Sequence, residues 1–238
     1  MTIKVTGDVL KVRARFTDRE GNFSNYAQTS ISVERCTDGG PEITDLPLSD
    51  TYLTTPVGCL AGSAEYIDGN YVRLTENTDR VTGQVAYKSS ALAALTFQQY
   101  EFDFMHDVGY GAADGVYLYF KSAEIPLDEV GTIVVDNIPS KSTGYVIGFS
   151  EWHNQIFITY KDQVSESASF TFAQNTWYHA KIKYNQDTNE IKVYIDDVLY
   201  LTYTDTERAV HTWFGLGGRT GAASSGHYVK NFVAGNGV

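Results

Sequence analysis

Apolar and polar residues alternate with a period of two along the stretch 176–199. Ala180, Ile182 and Tyr184 fall on one side of this pattern, and the intervening lysines fall on the other. The alternation resumes in residues 191–195 after a polar turn. Such a period is typical of half-buried antiparallel strands, because successive side chains of a strand point to opposite faces. The stretch therefore predicts two strands followed by a tight turn into a third.

Short apolar stretches bounded by Gly, Asn and Asp recur through residues 57–238, and no segment has the 3.6-residue period of a long helix. The composition also favours strands, since the chain contains 17 Tyr and 12 Phe and aromatic residues are enriched in sheets. No internal repeat or low-complexity tract interrupts this pattern. We therefore predict an all-β domain at 57–238, built as a two-sheet antiparallel jelly-roll sandwich.

The N-terminal part, 1–35, predicts a separate β-hairpin. Residues 9–16 and 27–33 alternate, and a polar turn at 18–22 joins them. This piece resembles the last two strands of a fibronectin type III module. Two strands alone are marginally stable in water, so the hairpin is expected to pack on the main domain, to pair with another chain, or to end a longer module. Gly and Pro residues in 36–56 predict a linker.

Charge and hydropathy narrow the possible partners. The formal net charge of −11 argues against nucleic-acid binding, which requires clustered Lys and Arg. The chain contains no run of 18 apolar residues, so the sequence does not predict a membrane-spanning helix. The N-terminus lacks the apolar core of a signal peptide.

The two cysteines, Cys36 and Cys59, leave two alternatives open. They form one disulfide bond, or both remain thiols. They are too few for a disulfide scaffold or for a four-cysteine zinc site.

One stretch resembles the late strands of concanavalin A-like jelly rolls, and three others resemble motifs of the L-type lectin branch in the family's order. Residues 69–87 are similar to "I-x-L-T…G-x-A-x-Y", and residues 100–120 to "F-x-F…G-x-D-G-x-x-F". Residues 176–199 match "W-Y-H-x-x-I-x-Y…V-Y-I-D", and residues 214–232 are similar to "G-F-S-A-x-T-G…H-x-I-x-N-F". The resemblance implies the jelly-roll fold and carbohydrate binding.

The resemblance assigns sugar binding to Asp114, because the Asp of the family's Asp-Gly pair accepts hydrogen bonds from two sugar hydroxyls. An ionised carboxylate is suited to this, since it offers two acceptor oxygens. Gly115 would let the backbone bend close to the ligand. The alternative is that Asp114-Gly115 is only a turn before a strand. Gly131 would correspond to the family's backbone-donor glycine.

The family's metal loop corresponds to residues 148–154, where Trp152 and Asn154 match and Ser150 replaces the first Asp. The resemblance implies a calcium site formed by the Trp152 carbonyl and Asn154, with Glu151 or Asp162 adding charge. Asn154 would orient either this ion or the bound sugar. Calcium takes six to eight oxygen ligands, so the set is incomplete. No other cofactor is expected.

Trp152 has two interpretations. It either packs in the core or offers its flat face to a sugar ring, and its polar neighbours favour exposure. The loop 217–226 is rich in small residues and would frame the sugar site through Gly218, Arg219 and Gly221. The alternative for this loop is an ordinary surface hairpin.

Catalysis is not expected. Glu101 and Asp103 are the nearest approach to the paired carboxylates of glycoside hydrolases on the same fold. They would share one face of a strand, where a solvent-facing acidic pair is the simpler interpretation. The chain has no G-x-S-x-G and no H-E-x-x-H motif.

We therefore expect a non-catalytic glycan-binding domain in an extracellular or virion-surface setting, such as an adhesin, a phage tail fibre or a virion protein. Homo-oligomers or a larger assembly would add avidity to weak single sites. The alternatives are a structural or protein-docking jelly roll and a glycoside hydrolase.

Overall fold

The structure is a computed structural model that describes residues 9–14, 27–32, 42–50, 58–67, 70–107, 109, 111–121, 144–160, 163–206 and 211–237. The chain divides into two compact units, Met1–Thr37 and Asp38–Val238.

The first unit contains the predicted hairpin. Strand β1 (Val9–Ala14) pairs antiparallel with β2 (Ala27–Ser32), and Val9 lies opposite Ser32. The hairpin prediction is therefore confirmed. Its likeness to a fibronectin module and the domain boundary at residue 35 stay predictions.

The second unit is built almost entirely of strands. Its first eight elements are β3 (Leu48–Asp50), β4 (Cys59–Gly62), β5 (Glu65–Ile67), β6 (Tyr71–Thr75), β7 (Thr82–Lys88), α1 (Ser90–Ala93), β8 (Phe97–His106) and β9 (Gly115–Lys121). The remaining elements are β10 (Gly144–Ser150), β11 (Gln155–Tyr160), β12 (Gln163–Ser169), β13 (Tyr178–Asn185), β14 (Glu190–Ile195), β15 (Val198–Thr204), β16 (Trp213–Arg219) and β17 (His227–Asn236).

Two antiparallel sheets form a sandwich. One sheet has seven strands in the order β12-β11-β10-β9-β16-β7-β4. The other has the order β15-β14-β13-β8-β17-β6-β5, and β3 pairs with β17 beside this path. The jelly-roll sandwich predicted from the alternation is confirmed.

The core lies between the sheets, and the predicted alternation positions it. Ala180, Ile182 and Tyr184 of β13 are buried, as their spacing predicts. Phe104 of β8 and Phe149 of β10 belong to opposite sheets, and their ring centroids lie 4.7 Å apart. Burial of such rings is the main favourable contribution to folding.

The stretch predicted as a linker, 36–56, includes an ordered strand. β3 pairs with β17, with Val233 opposite Ser49. Leu48 is buried because it packs in the main core. The apolar residue thus attaches this stretch to the sheet.

Helix is scarce in the described part of the chain. The side chain of Ser89 caps α1 by accepting a hydrogen bond from the Leu92 amide at 3.1 Å. Among the described residues, no helix has the length and apolarity that crossing a membrane would require.

Cys59 of β4 is buried and takes part in a disulfide bond. Cys36 lies outside the described residues.

Candidate functional site

The strand order brings three predicted loops to one end of the seven-stranded sheet. β9 begins at Gly115, and antiparallel pairing places it opposite Arg219, where β16 ends. On the other side of β9, Val116 lies opposite Phe149, next to the end of β10. The segments before β9, after β10 and after β16 therefore lie together.

Asp114 lies at the centre of this end of the sheet. Its Oδ2 is 3.2 Å from Nε of Arg219, and its side chain is 20% exposed. A methyl group added at Gly221 would lie 3.3 Å from Asp114 Oδ1. The predicted residues Asp114, Arg219 and Gly221 are thus neighbours in space. An ion pair of this exposure contributes little stability, but it orients the carboxylate.

Gly115 is required by the backbone geometry. Its φ of +143° lies in a region that residues with a Cβ rarely adopt. A Cβ at this position would lie 2.3 Å from the carbonyl oxygen of Phe149. The Asp114-Gly115 pair therefore lies directly against the end of β10, and this close approach fixes the position of the Asp114 backbone.

Trp152 and Asn154 lie in the tight turn between β10 and β11. Trp152 is 57% exposed, which agrees with its polar sequence neighbours. Asn154 is also exposed and has a φ of +49°, which Asn tolerates better than most residues. Its carbonyl oxygen accepts a hydrogen bond from the Phe170 amide at 2.9 Å. The turn therefore presents a rigidly supported, solvent-facing indole.

The loop after β16 is held by the segment before β7, which the sequence did not indicate. Thr220 is buried, and its hydroxyl donates to the Thr78 carbonyl at 2.7 Å. The amide of Arg80 donates to the Gly221 carbonyl at 2.9 Å. These bonds position the backbone beside Asp114.

Three other predicted residues lie elsewhere or outside the described part of the chain. Gly218 is buried, and a Cβ there would lie 2.8 Å from the Leu74 Cβ, so this glycine faces the interior. Gly131 and Asp162 lie outside the described residues.

The described members of the predicted calcium set fit that ion poorly. Glu151 is only 5% exposed, and its Oε1 accepts a hydrogen bond from the Ala113 amide at 3.0 Å. Trp152 and Asn154 are exposed instead, and they offer one carbonyl and one amide oxygen. Calcium requires six to eight oxygens. We therefore assign no step in binding to calcium.

Glu151 belongs instead to a buried cluster that sequence reasoning missed. Its Oε1 lies 3.5 Å from Nε2 of His227, and His106 completes the group. Burial by itself raises the pKa of Glu151, but the hydrogen-bonding contact with His227 lowers it below its usual value. Burial holds the pKa of His106 at about 3, which leaves this imidazole neutral.

The cluster had no local signal because its three members come from distant parts of the chain. His106 ends β8, Glu151 follows β10 and His227 begins β17. The pairing of β8 with β17 places His227 opposite His106, and the packing of the other sheet against them adds Glu151.

The possible catalytic pair, Glu101 and Asp103, lies on the outer face of the other sheet. His179 contacts both, with Nδ1 2.9 Å from Asp103 Oδ1 and Nε2 3.2 Å from Glu101 Oε2. Asn231 donates to the second oxygen of Asp103 at 2.7 Å. The shared face agrees with the alternation of β8. Both carboxylates are thus contacted by neighbouring polar side chains, which is typical of a charged sheet surface.

Comparison with known proteins finds solved structures of similar fold. No protein-family model and no curated protein matches the sequence. The exoplasmic/lumenal domain of VIP36, solved bound to Ca²⁺ and mannose, superposes with a TM-score of 0.62 at 15% identity, covering 79% of this chain and 89% of that one. The potassium-bound carbohydrate recognition domain of Emp46p gives 0.64 at 13% identity over 79% and 95%.

A plant protein of the same fold is equally similar. The seed lectin of Lotus tetragonolobus has a TM-score of 0.62 at 15% identity, covering 79% of this chain and 97% of that lectin. At these identities the likeness shows the fold alone. The chain has the fold of L-type lectin domains, as the motif order indicated.

Proposed function

We propose that the unit Asp38–Val238 binds carbohydrate without catalysing a reaction, at the end of the seven-stranded sheet. The observation that carries the proposal is the convergence of Asp114, Arg219 and Gly221 at the sheet end where β10 leads into the turn with the exposed Trp152. The fold supports it, because the similar solved domains of VIP36 and Emp46p are described as mannose-bound and as a carbohydrate recognition domain.

The chemistry of these residues suits a sugar. The Asp114 carboxylate, oriented by Arg219, accepts hydrogen bonds from neighbouring hydroxyls. Gly221 has no side chain to cover Asp114, so a ligand can approach the carboxylate closely. Trp152 supplies a flat apolar surface that covers the C–H face of a ring. Asn154 adds an amide on the same turn.

The proposal also concerns where the protein acts and how it assembles. The disulfide bond at Cys59 fits an oxidising environment outside the cytosol. Attachment to glycans on a host or cell surface, in an adhesin, a phage tail fibre or a virion protein, follows from this setting and from the hairpin in front of the lectin fold. Homo-oligomers would strengthen such attachment through avidity.

A glycan-array screen with matched variants tests the proposal. Asp114→Asn keeps the shape of the side chain and removes its charge, whereas Asp103→Asn makes the same change on the outer face of the other sheet. We expect wild-type binding in Asp103→Asn and at least a ~10-fold loss in Asp114→Asn, because charged hydrogen bonds contribute about 1.5–3 kcal/mol each. Equal binding by both variants would place the site elsewhere.

A structural or protein-docking role is the second candidate. Val164 of edge strand β12 and Val198 of edge strand β15 are each about half exposed, at 50% and 54%. Exposed apolar residues on sheet edges favour strand addition by a partner. A stable oligomer together with no binding to any glycan would support this alternative.

A further inference from the structure

The interior cluster formed by His106, Glu151 and His227 includes the buried first residue of the turn that carries the exposed Trp152. Both histidines are fully buried at 0% exposure, and Glu151 is 5% exposed. One nitrogen or carboxylate oxygen from each residue lies within 4.8 Å of the others. The three side chains come from both sheets, so a group bound between them would connect the two layers.

Three ring nitrogens of this cluster lack hydrogen-bond partners. Neither ring nitrogen of His106 has a hydrogen-bond partner, and neither does Nε2 of His227. Buried polar groups are almost always satisfied in proteins, and each exception requires an explanation. A carboxylate this deeply buried also requires a positive counter-charge.

The ring of His227 is held by a hydrogen bond on its other nitrogen. The Thr75 hydroxyl oxygen lies 2.7 Å from Nδ1 of His227 and 3.1 Å from the Ser225 carbonyl oxygen. This contact directs Nε2 of His227 toward Glu151 Oε1, at 3.5 Å.

The donor set favours a transition metal over calcium. Two imidazoles and one carboxylate form the protein ligands of several Zn²⁺ sites, with a fourth position open to water. Ligand bonds of about 2.0–2.2 Å in a tetrahedron place donor atoms about 3.4 Å apart, close to the 3.5 Å between His227 and Glu151. The hydrogen bond to Nδ1 of His227 is the outer contact that metal-binding histidines ordinarily have.

We propose that His106, Glu151 and His227 form a binding site for one divalent transition-metal ion, with Zn²⁺ the best match. The ion neutralises Glu151 and binds one ring nitrogen of each histidine. Because Glu151 also accepts the hydrogen bond from Ala113, the ion steadies the segment that leads to Asp114. Loading takes place as the chain folds, since the ligands are buried in the finished structure.

Titration of the full chain with ZnCl₂ tests the site. The protein is stripped with chelator in denaturant and refolded in increasing ZnCl₂, without any glycan, and the bound metal is counted after dialysis. We expect one Zn²⁺ per chain and a rise in Tm of ~5–10 °C at a hundredfold excess over Kd. Glu151→Gln and His227→Gln should each weaken binding by more than about 100-fold, since even outer contacts cost 10–100-fold.

Two other histidines provide controls. His211 is also buried and unpartnered but lies outside the cluster, so His211→Gln should bind Zn²⁺ as the wild type does. His179→Ala removes the exposed histidine that faces Glu101 and Asp103, and it should also leave binding unchanged. Loss of binding in His179→Ala, or equal binding in Glu151→Gln, would overturn the proposal.

A measurement on the unaltered chain covers the case in which the variants do not fold. Crystals grown with ZnCl₂ should give an anomalous peak at the zinc edge between the three side chains. A folded wild-type chain without stoichiometric binding would overturn the proposal.

Discussion

Single residues decide the shape of the proposed sugar site, and Gly115 does so most directly. Its positive φ and the Phe149 carbonyl beside it leave no room for a side chain. Asp114, one position earlier, thereby receives a fixed starting point near Arg219. The restriction acts on the backbone of Gly115, and it does not come from the packing of side chains.

Gly115→Ala tests this constraint. The added methyl would lie 2.3 Å from the Phe149 oxygen, so we expect a loss of about 2 kcal/mol or more of unfolding free energy together with weakened glycan binding. Gly217→Ala is the control, since its nearest neighbour would lie at 3.7 Å. Thermal unfolding with wild-type Tm for Gly115→Ala would contradict the account.

At the scale of elements, alternation along β8 determines which face joins the core. Phe102 and Phe104 are fully buried, whereas Glu101 and Asp103 between them face outward and contact His179. The same strand thus supplies core side chains on one face and a charged surface on the other. Its last residue, His106, is buried at the sheet end and joins the metal cluster.

Phe104→Ala and Phe97→Ala compare the two environments on one strand. Phe104 is fully buried against Phe149, and Phe97 is 43% exposed. We expect a loss of ~3–5 kcal/mol for Phe104→Ala, because a large buried ring leaves a cavity, and ~1 kcal/mol or less for Phe97→Ala. Urea unfolding measures both values. Similar losses would mean that β8 does not alternate as described.

For the whole molecule, the sequence predicted the fold because its signals are local. The alternation of Ala180, Ile182 and Tyr184 and the order of three motifs were enough to predict a sandwich that the structure has. The Asp114-Gly115 pair and the Trp152 turn were visible for the same reason. Whether these residues bind a sugar stays a prediction.

Other features depended on contacts between distant segments and could not be predicted. Glu151 was considered a calcium ligand beside Asn154, but packing directs it inward to His227. The support of Gly221 by Arg80 requires the loops before β7 and after β16 to meet. The sequence predicts Gly218 in a loop, yet the residue is part of β16, where it lies against Leu74.

The central claim is that the end of the seven-stranded sheet binds glycans, and amide chemical shifts test it most directly. The ¹⁵N-labelled full chain is titrated with a mannose-containing oligosaccharide and with the strongest binder from the array. We predict that shifts concentrate in residues 111–115, 151–154 and 219–226. Shifts confined to the outer face around Glu101 and His179, or no shifts with any glycan, would contradict the account.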